Sequence, residues 1–124
     1  AVVILALKSV HFGGASQTLA DSSVSLVKDQ FYAQEVRSKR DGKLRGTFNC
    51  PSGAPYAIYV LSPSDVISLR VGRDPNTLGS KFSTTGTGTL KMPPVELSEG
   101  SWSVVIVNLG DSPIKVHYKL EGVR

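Results

Sequence analysis

The stretch Ile114 to Leu120, IKVHYKL, alternates without a break, with Ile114, Val116, Tyr118 and Leu120 on one side and Lys115, His117 and Lys119 on the other. A period of two sustained over seven residues fits a half-buried β-strand and leaves no apolar stripe for a helix. The same period recurs at Lys43 to Cys50, where Leu44, Gly46, Phe48 and Cys50 oppose Lys43, Arg45, Thr47 and Asn49. Gly100 to Leu109 sets Trp102, Val104, Ile106 and Asn108 against Val105, Val107 and Leu109, as suits a central strand. Tyr56 to Leu61, YAIYVL, is apolar throughout and reads as a strand covered on both sides. Shorter candidates lie at Val24 to Lys28, Phe31 to Arg37 and Thr89 to Met92.

Twelve glycines and seven prolines punctuate these runs, and 124 residues suffice for one domain with a two-layer core. The expected fold is all-β: a two-sheet antiparallel sandwich, jelly-roll-like, of eight or nine strands with at most one short helical turn. That turn falls in Ser62 to Leu69, with Ser62 as cap, Pro63 in the first position and Asp65 in the first turn. Asp41-Gly42 reads as a hairpin turn, and Gly110 to Pro113 as the turn of a hairpin joining the last two strands. Arg73 to Gly79 is a loop and Ser83 to Gly88 a flexible polar approach. Pro93-Pro94 is expected to end the strand that begins at Thr89.

Residues 24–124 form the sandwich in this reading, and residues 1–23 stand apart. The apolar run Ala1 to Leu7 reads either as a first strand or as a membrane-proximal flank, the stub of a signal or membrane segment. Seven residues are far fewer than the roughly 20 that span a bilayer. The small polar stretch Gly13 to Ser23 follows as a loop.

Catalytic machinery is scarce. Of the two histidines, His11 sits beside a Gly-Gly pair and His117 lies in the outward row between Lys115 and Lys119, cations that discourage its protonation. No serine occupies a Gly-x-Ser-x-Gly elbow, and nothing in the sequence pairs one with a histidine. Gly86 and Gly88 lack the lysine and helix of a phosphate loop. Cys50 is the single cysteine and falls on the inward set, so no disulfide or cysteine-based zinc site can form. Asp21, Asp65, Asp74, Asn76 and Asp111 do not follow calcium-loop spacing and read as capping and turn residues. No catalytic residue, metal or cofactor is assigned.

The net charge is +4, and its densest part is Arg37, Lys39, Arg40, Lys43 and Arg45 around the Asp41-Gly42 turn. Beside the Lys115 and Lys119 row, this basic hairpin would form a patch for sulfate, phosphate or anionic lipid headgroups; as the alternative, it only keeps a sheet edge soluble. No aromatic residues interleave with these cations, which argues against nucleic acid.

From Val24 to Val123 the pattern resembles β-sandwich domains of the GOLD type and the related pre-peptidase C-terminal domains. The residues that carry the resemblance are Gly42-Lys43-Leu44-Arg45-Gly46-Thr47-Phe48, then Ile58-Tyr59-Val60-Leu61, and best of all Gly100-Ser101-Trp102 through Asn108. In these families a glycine turn leads into an aromatic residue, an apolar strand and an asparagine before the closing hairpin. The paired cysteines of many cargo-receptor members are missing here. The resemblance implies an accessory or protein-interaction role outside the cytoplasm (secreted, periplasmic or membrane-attached) and no catalytic set. A carbohydrate- or polyanion-binding domain and a subunit of a self-assembling shell are the alternatives. The expected partners are therefore another protein or a second copy, with glycan, polyanion and membrane surface behind them.

Overall fold

The computed structural model describes residues 2–5, 10–12, 17–28, 30–39, 41–73 and 78–123. Its strands are β1 Val2–Leu5, β2 Val10–Phe12, β3 Gln17–Leu26, β4 Gln30–Ser38, β5 Gly42–Asn49, β6 Tyr56–Leu61, β7 Phe82–Gly86, β8 Thr89–Leu97, β9 Gly100–Asn108 and β10 Ile114–Val123, with one helix, α1, at Pro63–Arg70. Eight strands build two antiparallel four-stranded sheets, β4-β9-β6-β7 and β3-β10-β5-β8. This is the expected all-β sandwich. β1 and β2 run parallel to β4 along its other edge.

The core between the sheets holds the inward sets read from the alternation. Leu44, Phe48, Val116, Tyr118 and Leu120 of the second sheet meet Val36, Tyr56, Ile58, Val60, Val104 and Ile106 of the first. Burying each such side chain contributes about 1.5–3 kcal/mol, so the facing sets account for the closure of the layers. Cys50 lies among them at 1% exposure, as a small hydrophobe. A polar knot sits inside the core: the hydroxyls of Tyr32 and Tyr118 are 2.8 Å apart, one donating to the other, and both lie 3.3 Å from Gln34 Oε1, which accepts from the phenol left free to donate. Burial first, then the Tyr32 partner, holds the Tyr118 phenol well above its usual range.

The outer face of the first sheet is also apolar. Phe31, Ala33, Ala57, Tyr59, Leu61, Val105 and Val107 are covered by Val66 and Leu69 of α1, with Leu78 packed alongside. The helix is longer than the single turn expected. Ser62 caps it, its hydroxyl oxygen accepting from the Asp65 amide at 3.4 Å, and Pro63 opens it. The β-branched Val66 is tolerated because it lands with Leu69 on the sheet rather than in water.

Several connections differ from the sequence reading. β9 and β10 are not a hairpin: β9 pairs with β4 and β6 in the first sheet, β10 with β3 and β5 in the second. Gly110 to Pro113 is therefore an arch between layers. The same correction applies at Asp41-Gly42, where β4 and β5 lie in opposite sheets. Turn chemistry bends a chain equally well in either geometry. Pro93-Pro94 does not end β8, which continues to Leu97. β8 is an edge strand paired only with β5, so a missing amide on its open side costs no ladder bond, and the register shifts between Leu44 and Gly46 opposite the prolines. Ser83 to Gly86 belongs to edge strand β7 rather than to a flexible approach. Gln17 to Ser23, expected as loop, is the first part of β3, paired along β10; residues 13–16 lie outside the described set.

Of the apolar start, Val2 to Leu5 forms a strand ladder with Gln30 to Ala33, while Ala1, Ala6 and Leu7 lie outside the described residues. Among the described residues no helix is long and apolar enough to cross a membrane.

Candidate functional site

With the outer face of the first sheet under α1, the broad open surface is the outer face of the second sheet. Its strands alternate, so the outward side chains are mostly polar, with Pro93, Pro94 and Val123 at one end. Register places them in rows across the sheet. One row runs Asp21, Lys119, Thr47, Lys91; the next runs Ser23, His117, Asn49, Thr89; Ser25 and Lys115 lie beyond. On the other side come Glu121 beside Arg45 and then Lys43 beside Glu96. Thr89 donates to Asn49 Oδ1 at 3.1 Å, stiffening the second row.

The seven cations expected to form one patch are divided by the arch between β4 and β5. Lys43, Arg45, Lys115 and Lys119 are on this face. Arg37 is exposed on β4 of the opposite sheet, its Nε 2.9 Å from Glu35 Oε1. Lys39 is exposed in the arch itself, and Arg40 lies outside the described residues. Acids answer several of the four that remain: Glu121 Oε1 is 3.5 Å from Arg45 Nε, Glu96 is the register partner of Lys43, and Asp21 that of Lys119. Such exposed pairs are worth little in stability, but they reduce the attraction a polyanion would feel.

His117 meets two side chains of the neighbouring strand β3. Its Nε2 is 2.8 Å from Asp21 Oδ1 and its Nδ1 is 3.1 Å from Ser23 Oγ. A neutral ring protonated at Nε2 satisfies both contacts, donating to Asp21 and accepting from Ser23. The sequence hid this trio because the three residues meet only through the pairing of β3 with β10, and Asp21 and Ser23 sat in an expected loop. Serine, imidazole and carboxylate in line supply a nucleophile and a base. A hydrolase also needs an oxyanion site and a water-poor pocket, whereas His117 and Asp21 are about half exposed on the sheet surface.

His11 is exposed at the start of the chain, its carbonyl accepting from Gln17 Nε2, remote in register from His117. Of the aspartates read as caps and turn residues, Asp65 sits in the first turn of α1 and Asp111 in the β9–β10 arch, 3.4 Å from Lys28, whereas Asp21 is neither cap nor turn but stands within β3 against His117. Asp74 and Asn76 lie outside the described residues. Among the described residues no three His, Cys, Asp or Glu side chains converge as metal ligands do.

Two shallow clefts flank the polar rows. One of about 440 Å³ opens where the β4–β5 arch meets the β8–β9 turn, between Asp41, Lys43, Lys81 and Glu96. Next to it Lys81 Nζ lies 4.9 Å from the centroid of Trp102, whose indole donates to the Ser98 carbonyl at 3.0 Å. The other, about 580 Å³, follows Arg45, Thr47, Lys91, Pro93 and Pro94 along the β8 bulge.

The motif residues from Gly100 to Asn108 are structural. Gly100 has φ +134°, a backbone conformation that side chains resist. Asn108 is 4% exposed; its amide donates to the carbonyls of Leu26 at 3.2 Å and Ser112 at 3.0 Å, and its oxygen accepts from the Gly110 amide at 2.9 Å. It locks the β9–β10 arch to the end of β3.

No protein-family model matches the chain, and no curated protein sequence matches it. Solved structures do share the fold. The pre-peptidase C-terminal domain of a collagenase from Bacillus anthracis superposes with a TM-score of 0.57, at 8% identity, covering 91% of this chain and 94% of that one. PliG from Aeromonas hydrophila, a periplasmic inhibitor of g-type lysozyme, gives 0.56 at 12% identity over 98% and 99%. The CBM36-1 domain of a multidomain xylanase from the hindgut metagenome of Trinervitermes trinervoides gives 0.50 at 8% identity over 90% and 91%. At such identities the likeness is one of architecture, which the chain shares with a range of β-sandwich modules.

Proposed function

We propose that this chain is a noncatalytic binding module that works outside the cytoplasm and recognises a protein through the outer face of its second sheet. The observation that carries the reading is the asymmetry of the sandwich. One sheet hides its outer face under α1, while the other presents ordered rows of Thr47, Asn49, Thr89, Lys91, His117 and Lys119 to solvent. A broad, polar, hydrogen-bonding surface suits a protein partner better than a small molecule, which needs a concave and largely apolar pocket. The interleaved acids Asp21, Glu96 and Glu121 weigh against a sulfated glycan or anionic lipid. The fold's use in a periplasmic lysozyme inhibitor and in the pre-peptidase C-terminal domain of a collagenase is in keeping with this role.

The test is capture of a protein from an exported-protein fraction by the immobilised chain, set against the double variant Thr47→Arg, Lys119→Glu. Capture lost with the variant supports the reading. Capture indifferent to it, or retention on heparin well beyond what a net charge of +4 explains, overturns it in favour of another surface or a polyanion.

A further inference from the structure

The cleft of about 440 Å³ between the β4–β5 arch and the β8–β9 turn has a chemistry of its own. Its charged lining among the described residues is Asp41, Lys43, Lys81 and Glu96, all exposed. The two ammoniums and two carboxylates cancel, so neither a polyanion nor a polycation gains from entering. The walls are nonetheless dense in hydrogen-bonding groups, ammoniums that only donate and carboxylates that only accept. A hydroxyl does both, so a ligand with several hydroxyls satisfies such mixed walls without bringing charge of its own. The volume falls in the range of about 300–1,000 Å³ usual for small-ligand sites, while the polar lining disfavours an apolar guest.

An aromatic surface stands beside these walls. Trp102, half-buried near the start of β9, packs in part on the core, and Lys81 Nζ lies 4.9 Å from its ring centroid. Lys81 and Ser98 both line the cleft, and the Ser98 carbonyl accepts from the indole N–H at 3.0 Å. One lining residue therefore fixes the ring plane and another stands over its face. An exposed ammonium is held there weakly and on a flexible stem, so it swings aside at small cost. The ring face it leaves is flat and apolar, matching the C–H face of a sugar ring. The walls are held ready as well. Asp41 Oδ1 accepts from the Glu99 amide at 3.1 Å, tying the β4–β5 arch to the β8–β9 turn, and Lys43 and Glu96 are register partners in the β5–β8 ladder. A site already ordered loses little freedom on binding.

We propose that this cleft is a glycan site for an uncharged sugar, whose C–H face stacks on Trp102 in place of the Lys81 ammonium and whose hydroxyls bond to Asp41, Glu96, Lys43 and the displaced Lys81. The cleft meets the outer face of the second sheet only at Lys43 and Glu96, and it does not depend on the protein-binding reading. Interleaved acids and cations, which weaken the attraction for a sulfated chain, are here the acceptors and donors that a neutral one needs.

Trp102 is the single tryptophan, so tryptophan emission reads this site alone. The chain is titrated with cellohexaose, xylohexaose, maltohexaose and chitohexaose, each to about 10 mM, tenfold above a weak Kd of about 1 mM. The expected result is a saturable change in emission, with reduced quenching by acrylamide, for at least one of the four. For that sugar, Asp41→Asn and Glu96→Gln should each weaken binding about tenfold by calorimetry, since each gives up a charge-assisted hydrogen bond. Both residues are exposed and both replacements keep an acceptor oxygen, including the one that takes the Glu99 amide, so the variants should fold, with urea midpoints near wild type. Silence from all four sugars overturns the proposal. So does binding that Asp41→Asn and Glu96→Gln leave unchanged, or tighter binding of oligogalacturonate, a charged chain, than of any neutral one. The double variant Thr47→Arg, Lys119→Glu should leave the sugar titration intact while abolishing protein capture, which separates failure of this proposal from failure of the binding-face reading. A sugar response lost with that variant would place the ligand on the outer face and overturn the cleft assignment.

Discussion

Asn108→Ala is expected to be among the most damaging polar substitutions in the molecule. The wild-type side chain makes three hydrogen bonds at a buried junction: to the carbonyls of Leu26 and Ser112, and from the amide of Gly110. At about 1 kcal/mol net for each, their loss amounts to roughly 3 kcal/mol, a large share of the 5–15 kcal/mol typical of a domain. In urea, with a slope of about 1–3 kcal/mol/M, the midpoint should fall by roughly 1–3 M at unchanged slope. Asn108→Asp sharpens the test. The carboxylate still accepts from Gly110 but faces two carbonyl oxygens, which disfavour its ionised form and raise its pKa above the unfolded value of about 3.9. A group raised in the folded state lends stability below its unfolded pKa and loses it as pH rises. Stability of Asn108→Asp relative to Asn108→Ala should therefore decline from acid to neutral pH. An Asn108→Ala protein within about 0.5 kcal/mol of wild type would refute the idea that this residue locks the arch.

Three further outcomes follow from the packing. Gly46→Val should destabilise by about 1–3 kcal/mol in denaturant titration, because a Cβ there meets Leu120 Cδ2 at 3.0 Å, Phe48 Cε1 at 3.2 Å and the Lys119 carbonyl at 3.3 Å. Leu69→Ala, on the buried face of α1 at 0% exposure, should cost about 2–5 kcal/mol and increase dye binding as the outer face of the first sheet is uncovered. The Tyr56 phenol, fully buried and donating to the Gly88 carbonyl at 2.6 Å, is pushed up to about 12, by burial first and then by Cys50. Its contribution is complete below the unfolded value of about 10 and is lost as pH rises through 12. Stability should fall across that window, and a Tyr56→Phe protein should show a shallower fall.

What the sequence revealed and what it concealed divide along a physical line. Alternation reports which side of a strand is buried, and Leu44, Phe48, Val116, Tyr118 and Leu120 all face the core as their spacing requires. It says nothing about which strand lies alongside. Asp41-Gly42 and Gly110 to Pro113 have turn chemistry that serves a hairpin and an inter-sheet arch alike, so both connections were misjudged. Pro93-Pro94 reads as a stop unless β8 is known to be an edge. The basic residues were visible, but their grouping was not: one arch sends Arg37 to one sheet and Lys43 to the other. Lys91, Asp21 and Ser23 join the polar face only through long-range register, which no local pattern encodes.

That face exists because consecutive strands cross between layers, leaving β3, β10, β5 and β8 together with their polar sides outward. Cross-strand Hα–Hα contacts in a NOESY spectrum test this directly. They should join β10 to β3 and β5, with Tyr118 lying between Ser22 and Phe48, and join β9 to β4 and β6, with no ladder between β9 and β10. A ladder linking Val107 and neighbouring residues of β9 to Ile114 and Val116 across Gly110 to Pro113 would contradict the architecture, and with it the binding face.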